Sequence, residues 1–359
     1  MIRLPFNDRL RQLAKPVVMP LLALVFALLL GAVLMGLGGY SAGAAYGALF
    51  QASFGSLGSF TDTLVKASPL LFTGMAVAFA FKANVFNIGA EGQFLAGGMM
   101  VAWLGPLVGN LPKVVALPLL LIVAAAGGAL FGLLPAYLKV SRGISEVITT
   151  IMLNYIGLNL LGYVVHGPLK DVSGGIPQTA AIAESARLPM VIPGQWLHLG
   201  YVIGVILALL LGVVLSRSYF GFEVRAVGLN PTAARAYGIR VPRTVFLVMC
   251  ISGGLAGLGG GVEMSGVAYR LFEGFSPGYG YTAIAVALMA ANSPVGVIFT
   301  SILFGALSSG SMMMQQTAGV SSVFVSVFQS LIVLFVACAV QFQGNGLGLR
   351  FLRSRRGVV

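Results

Sequence analysis

The sequence predicts an all-α integral membrane protein of about ten transmembrane helices, with both termini on the cytoplasmic side. Three observations predict it. Hydrophobic residues fill 58% of the 359 positions and charged residues only 8%, where a soluble domain carries roughly 25% charged residues. So few charges cannot cover a water-facing surface, so the natural solvent is lipid. The apolar residues also gather into ten runs, most of them near the about 20 residues that a helix needs to cross the hydrocarbon core. Finally, Lys and Arg concentrate between alternate runs, which is an orientation signal.

The runs are 17–39, 64–82, 92–109, 113–138, 145–166, 199–216, 244–262, 281–291, 295–312 and 320–342. The first follows a basic leader of Arg3, Arg9, Arg11 and Lys15. Val17 to Gly39 exceeds the roughly 7–15 apolar residues of a signal peptide, so it is read as a retained helix. The eighth run is short, and is expected either to cross partway or to bend into the ninth at Pro294. With the N-terminus inside and the sides alternating, sixteen of the 21 Lys and Arg fall inside; Lys66, Lys113, Lys170, Arg187 and Arg270 fall outside. An odd number of spans would put Arg350, Arg353, Arg355 and Arg356 outside and weaken that bias. The chain thus divides into a cytoplasmic segment 1–16, a single transmembrane domain 17–343 and a basic cytoplasmic tail 344–359. Within the domain lie an external loop at 167–198 and a cytoplasmic loop at 216–243.

Composition excludes several function classes. The net charge of +12 is scattered between apolar runs and forms no basic stripe, so nucleic acid is not an expected partner. No GxxxxGK[ST] phosphate loop is present, nor a Ser/His/Asp or metal-ligand constellation, so no catalytic residue, metal or cofactor is assigned and the chain is not read as an enzyme. Cys250 and Cys338 lie in apolar runs and read as small buried hydrophobes. His166 and His198 flank the external loop and read as solvated interfacial residues. That loop, with Pro168, Pro177, Pro189 and Pro193, is either a linker or a dock for an external protein. The nine acidic residues fall mostly at predicted helix ends and in loops, which argues against an ATPase-independent carrier driven by protons or sodium.

Glycines at 253, 257 and 261 share one helical stripe and allow close approach of another helix, within the chain or at a subunit interface. There is also an internal echo. Ala125 to Leu130 precedes Val147 to Leu153 as Ile251 to Ala256 precedes Ala283 to Met289, and the predicted directions of these helices make the two halves a candidate inverted repeat.

Three segments carry mechanism. In the cytoplasmic loop, Asn230 can cap a helix that begins at Pro231 and ends at Gly238. This helix of about two turns presents Ala233, Ala234 and Ala236, and either anchors the loop at the interface or docks against a partner. Between the second and third runs, Asn84, Asn87, Glu91 and Gln93 form a polar interruption. It is either a turn with Glu91 favouring the next helix's dipole or a broken-helix element on a translocation path. In the fifth run Glu146, Thr150 and Asn154 share a face. Together with Thr149 and Asn159 they either line a path or make interhelical hydrogen bonds, worth about 0.6 kcal/mol each on average.

Two of these segments resemble a known family. The run RAVGLNPTAARAYGI, from Arg225 to Ile239, is similar to the coupling-helix segment of bacterial ABC-importer permeases in the branch that handles ribose-type sugars and nucleosides. The run FNIGAEGQ, from Phe86 to Gln93, resembles the signature of the nucleoside-type members. The run Gly278 to Met289, followed by Asn292, is also similar to theirs. There Tyr281-Thr282-Ala283 stands in place of Phe-Asp-Gly, which removes an acidic residue, and Met289-Ala290 replaces Leu-Gly. The resemblance covers nearly the whole chain and implies the larger permease of a heterodimeric pair in the bacterial plasma (inner) membrane. It implies as partners a second permease, an ATPase subunit holding ATP-Mg and an extracytoplasmic solute-binding protein. By resemblance Glu223, Arg225, Gly228, Asn230, Pro231, Ala233, Ala234, Tyr237 and Gly238 contact the ATPase. Candidates for the translocation path are Asn84, Asn87, Glu91, Gln93, Glu146, Thr150, Asn154, Met289 and Asn292. The implied cargo is a nucleoside, with a pentose or hexose as the alternative.

Overall fold

A computed structural model describes Leu22, residues 25–172 and 175–321, and seven single positions from Phe324 to Cys338. The predicted segments 1–16 and 344–359 lie outside the described residues. Helices dominate: α1 (Val25–Leu37), α2 (Ala42–Phe54), α3 (Leu57–Lys82), α4 (Ala90–Leu104), α5 (Lys113–Arg142) and α6 (Glu146–His166). After a long loop come α7 (Leu199–Arg217), α8 (Tyr219–Leu229), α9 (Pro231–Ala236), α10 (Val241–Glu263), α11 (Tyr279–Met289) and α12 (Pro294–Ala318). Among the described residues there is no β-strand, only isolated bridges in the loops. Among the described residues six helices are long and apolar enough to cross a membrane: α3, α5, α6, α7, α10 with the π turn Met264–Ala268 that continues it, and α12.

The short eighth run is α11, only eleven residues long, and it turns into α12 through Ala291 and Asn292, both with left-handed backbone. Helix α2 was not expected, and α3 begins at Leu57, seven residues before the run that marked it. The two cysteines are not buried: Cys250 is half-buried and Cys338 exposed. A helix bathed in lipid gains nothing by hiding a thiol, which behaves as a small hydrophobe on either side.

The described residues fall into two compact units. The smaller takes the described residues up to Phe60 and from Ala306 onward. It packs Met35, Ala45, Met314 and Val320 together and ties Ser53 Oγ to the Ala306 carbonyl at 2.8 Å.

The larger unit, Thr61–Gly305, holds the remaining features. Helix α3 is enclosed, with 83% of its most apolar stretch buried, whereas the corresponding share is 28% for each of α5, α6 and α7. Those three helices therefore turn most of their apolar surface outward. Between α4, α5 and α10 the packing is backbone against backbone. A Cβ at Gly257 would lie 2.5 Å from the Ala124 carbonyl oxygen and 2.7 Å from Gly128 Cα. Gly97 and Gly260 would likewise drive a Cβ into the Gly257 and Phe94 carbonyls. In lipid, helices gain no hydrophobic free energy by meeting each other, so close van der Waals contact and Cα–H···O approach must hold them. The glycine stripe thus serves packing within the chain. Gly127-Gly128 and Gly253-Gly254, the matching pairs of the internal echo, meet here, since a Cβ on Gly128 would strike the Gly253 carbonyl.

The loop 167–198 is tied down as a cap on one end of this unit. Thr179 N–H donates to the Leu271 carbonyl (2.9 Å), Ile182 to Tyr269 (2.9 Å) and Leu188 to Ser265 (2.8 Å). Arg270 donates to Asp171 at 2.7 Å, and Arg187 lies over the Tyr269 ring. At the end of this loop the solvated histidine expected at 198 is instead fully buried. Its ring packs against Gly200 and Gly266, whose missing side chains make room for it. Burial pushes the imidazole down to about 4, because neither ring nitrogen finds a partner for a proton. His166 is exposed, its Nδ1 3.0 Å from the Gly162 carbonyl oxygen.

Candidate functional site

Helix α3 ends in a tight turn. Asn84 takes a left-handed backbone (φ 55°), and Val85 N–H reaches back to the Ala80 carbonyl, which is how a chain leaves a helix with its last carbonyls satisfied. Residues 85–89 then run without helix into α4. Gly89 carries no side-chain cap, so the exposed amides of α4 must find partners elsewhere.

They find them in the polar residues singled out in the sequence. Asn87 Oδ1 accepts from Gly89 N–H at 3.0 Å and from Gln93 Nε2 at 3.1 Å. Asn87 Nδ2 donates to Gln93 Oε1 (2.9 Å) and Ser252 Oγ (2.8 Å), and Ser252 donates to the Ala76 carbonyl at 2.6 Å. Asn154 Oδ1 accepts from Gly92 N–H (2.9 Å) while its Nδ2 donates to the Ile88 carbonyl (2.8 Å). Glu91 Oε2 accepts from Gly280 N–H at 2.7 Å, where a side chain on Gly280 would strike the Glu91 backbone. Thr150 packs beside Gly89 and donates to the Glu146 carbonyl at 2.6 Å. Asn87, Glu91, Gln93, Thr150 and Asn154 are all buried. The structure thus joins α3, α4, α6, α10 and α11 around one broken segment through hydrogen bonds in a low-dielectric interior, where each bond is strong and each orphan costly.

The remaining candidates lie elsewhere. Asn84 is exposed at the end of α3. Glu146 sits at the rim, paired with Lys139 and accepting from Phe86 N–H at 3.4 Å. Met289 is buried near the end of α11, and Asn292 forms the following corner with its Oδ1 buried and unpartnered. Two further residues take part in the junction, Ser252 and Gly280. Ser252 stands beside the glycine stripe, and Gly280 lies inside the quoted Gly278 run; both had a local signal. Glu263, the last residue of α10, is buried with one carboxylate oxygen unpartnered, and Tyr279 lies within electrostatic reach of both Glu263 and Glu91.

The loop 216–243 is built from two helices, not one. Ser218 caps α8 by accepting from Gly221 N–H at 2.9 Å. Asn230 ends α8 and caps α9, its Oδ1 accepting from Thr232 and Ala233 N–H, both at 3.0 Å. Pro231 is the first residue of α9, and Gly238, with φ 84°, follows its end. Ile239 N–H returns to the Ala234 carbonyl at 3.1 Å. Ala234 and Ile239 turn inward to a core with Val224, Val227 and Val245, so Ala234 is not on the free surface. Pro231, Ala233, Tyr237 and Gly238 are exposed, Tyr237 at 88%. Gly228 crosses the end of α3 so closely that a Cβ there would meet the Lys82 carbonyl. Glu223 and Arg225 are half-buried on α8.

Apolar spanning helices, a buried polar junction around a broken helix and an exposed capped helix at one end define the class: a multi-pass membrane permease. The chain matches the family described as the branched-chain amino acid transport system permease component over residues 59–337, and it belongs to that family. Among its relatives, the guanosine ABC transporter permease protein NupP of Bacillus subtilis is 38% identical over 89% of this chain and 92% of its own length. The glucose ABC transporter permease protein TsgB13 of Haloferax volcanii is 35% identical over 87% of this chain and 84% of its own. The nucleoside ABC transporter permease protein NupB of Lactococcus lactis is 35% identical over 90% and 91%.

Proposed function

We propose that this chain is the translocation subunit of an ATP-driven importer for nucleosides in the bacterial plasma membrane. In this reading it works with a second permease, a separate ATPase subunit and an external solute-binding protein. The observation that carries the mechanism is the crossing of α8 over the last turn of α3 at Gly228 and Lys82. It connects an exposed docking helix, α9, to the segment 85–89 and its buried polar junction by direct backbone contact. A push on α9 from an ATPase subunit is delivered to the end of α3, where the helix breaks. The polar junction keeps the segment in register with α4, α6, α10 and α11, so the helices move as packed bodies, as alternating access requires.

The nucleoside cargo rests on the likeness to NupP and NupB. A second reading, a hexose, is favoured by the comparable likeness to TsgB13. Uptake of labelled guanosine and glucose, in cells expressing the chain with its partner subunits, tests the two. Guanosine uptake that stops when the ATPase carries an inactivated phosphate loop is the expected result. Glucose uptake alone transfers the cargo to hexoses; uptake that survives loss of the ATPase contradicts the mechanism.

A further inference from the structure

The end of the larger unit that carries α8 holds an open pocket of about 630 Å³, within the roughly 300–1,000 Å³ of ligand sites. Its polar corner brings together Lys82 at the end of α3, Arg225 on α8, Ser216 at the end of α7 and Ser293 before α12. Arg225 is near enough for its charge to act on Lys82. Among the described residues Lys82 Nζ donates to a neutral acceptor, the Ala291 carbonyl, at 3.3 Å. Among the described residues neither cation has a carboxylate within ion-pair distance. Ser293 Oγ accepts from Gly296 N–H at 3.3 Å, which leaves its proton available to a ligand. Two cations and a hydroxyl facing one space without a counter-charge make a site for an anion.

The rest of the pocket is apolar. Val213 on α7 and Val295 on α12 line it and are 58% and 37% exposed, on two helices long and apolar enough to cross a membrane. A free phosphate has no use for that wall, whereas a lipid has both parts. We propose that this pocket binds an anionic phospholipid, its phosphate on Lys82 and Arg225 and its acyl chain along Val213 and Val295. Basic pockets at the membrane surface take such headgroups. Because Lys82 and Arg225 stand on either side of the α3–α8 crossing, the bound lipid bridges the same two helices that Gly228 brings together.

Native mass spectrometry of the full chain in detergent, with phosphatidylglycerol or phosphatidylcholine added, tests this. The wild type should retain phosphatidylglycerol in roughly thirtyfold preference, the order that two cations near a membrane surface supply. The pair Lys82→Gln/Arg225→Gln should lose that preference, while Arg142→Gln/Arg243→Gln, basic residues outside the pocket, should keep it. Val213→Trp, which fills the apolar wall and leaves both charges, should weaken retention of either lipid at that site. Equal loss of preference in both double variants would reduce the effect to a diffuse positive field and overturn the site. Preference surviving in Lys82→Gln/Arg225→Gln would overturn it as well. Displacement of phosphatidylglycerol by millimolar inorganic phosphate, with no effect of Val213→Trp, would assign the pocket to a free anion instead.

Discussion

At the α4–α5–α10 junction and on helix α9 the chain sets out the same small residues, glycine and alanine, but only at the junction does it supply what they face. Gly257 meets the backbone of Ala124 and Gly128 with no space for a single carbon. Ala233 and Ala236 on α9 are exposed among the described residues. Small residues at a filled contact are a packing device. Small residues on a capped, projecting helix are a surface made to be approached. The two regions therefore differ in what a bulky substitution should do, and that difference can be pushed until one side fails.

The largest effect is expected at the junction. Gly257→Leu must displace backbone, and should cost about 3 kcal/mol, the upper end for overpacking, seen as a large drop in the thermal transition or loss of a monodisperse gel-filtration peak. A fully stable Gly257→Leu would show that the junction tolerates separation. Next comes the acid side of the stability curve. His198 is neutral in the fold, its proton affinity lowered from 6.5 to about 4, so only the unfolded chain takes a proton between those values. Stability should then fall by about 3 kcal/mol as pH drops from 6.5 to 4 and level off below. His198→Gln should flatten that slope in detergent melts; an unchanged slope would place the acid sensitivity elsewhere. Ser252→Ala removes an acceptor from buried Asn87 and should cost about 1–3 kcal/mol. Asn230→Ala, which removes the cap of α9, should cost about 1 kcal/mol locally, read as faster amide exchange at Thr232 and Ala233 with little change in global melting.

Much of this was legible in the sequence, because hydrophobic runs, caps and small-residue stripes are local patterns. The bounds of α9 could be read from Asn230, Pro231 and Gly238, and the shortness of α11 from its run. What could not be read depended on partners far along the chain. Helix α8 carries Glu223 and Arg225 and reads as loop, yet Gly221, Val224 and Val227 face inward. Helix α2 is rich in Ala and Gly without a strong apolar face, so neither length nor periodicity marks it. The burial of His198 depends on Gly266, 68 residues away, and the pairing of Glu91 with Gly280 spans 189. The polar residues of the interrupted segment were found by type, but their closure on one another, with Ser252 as the link, is a property of the packed helices.

The most direct test is copurification of the partner ATPase with Ala233→Arg, measured beside the melting temperature of the same variant. The account predicts a normal melt, within about 0.5 kcal/mol as expected for a surface change, together with lost copurification and lost uptake. Normal copurification and uptake would contradict it, because an exposed α9 that accepts an arginine without consequence is not the surface through which the permease is driven.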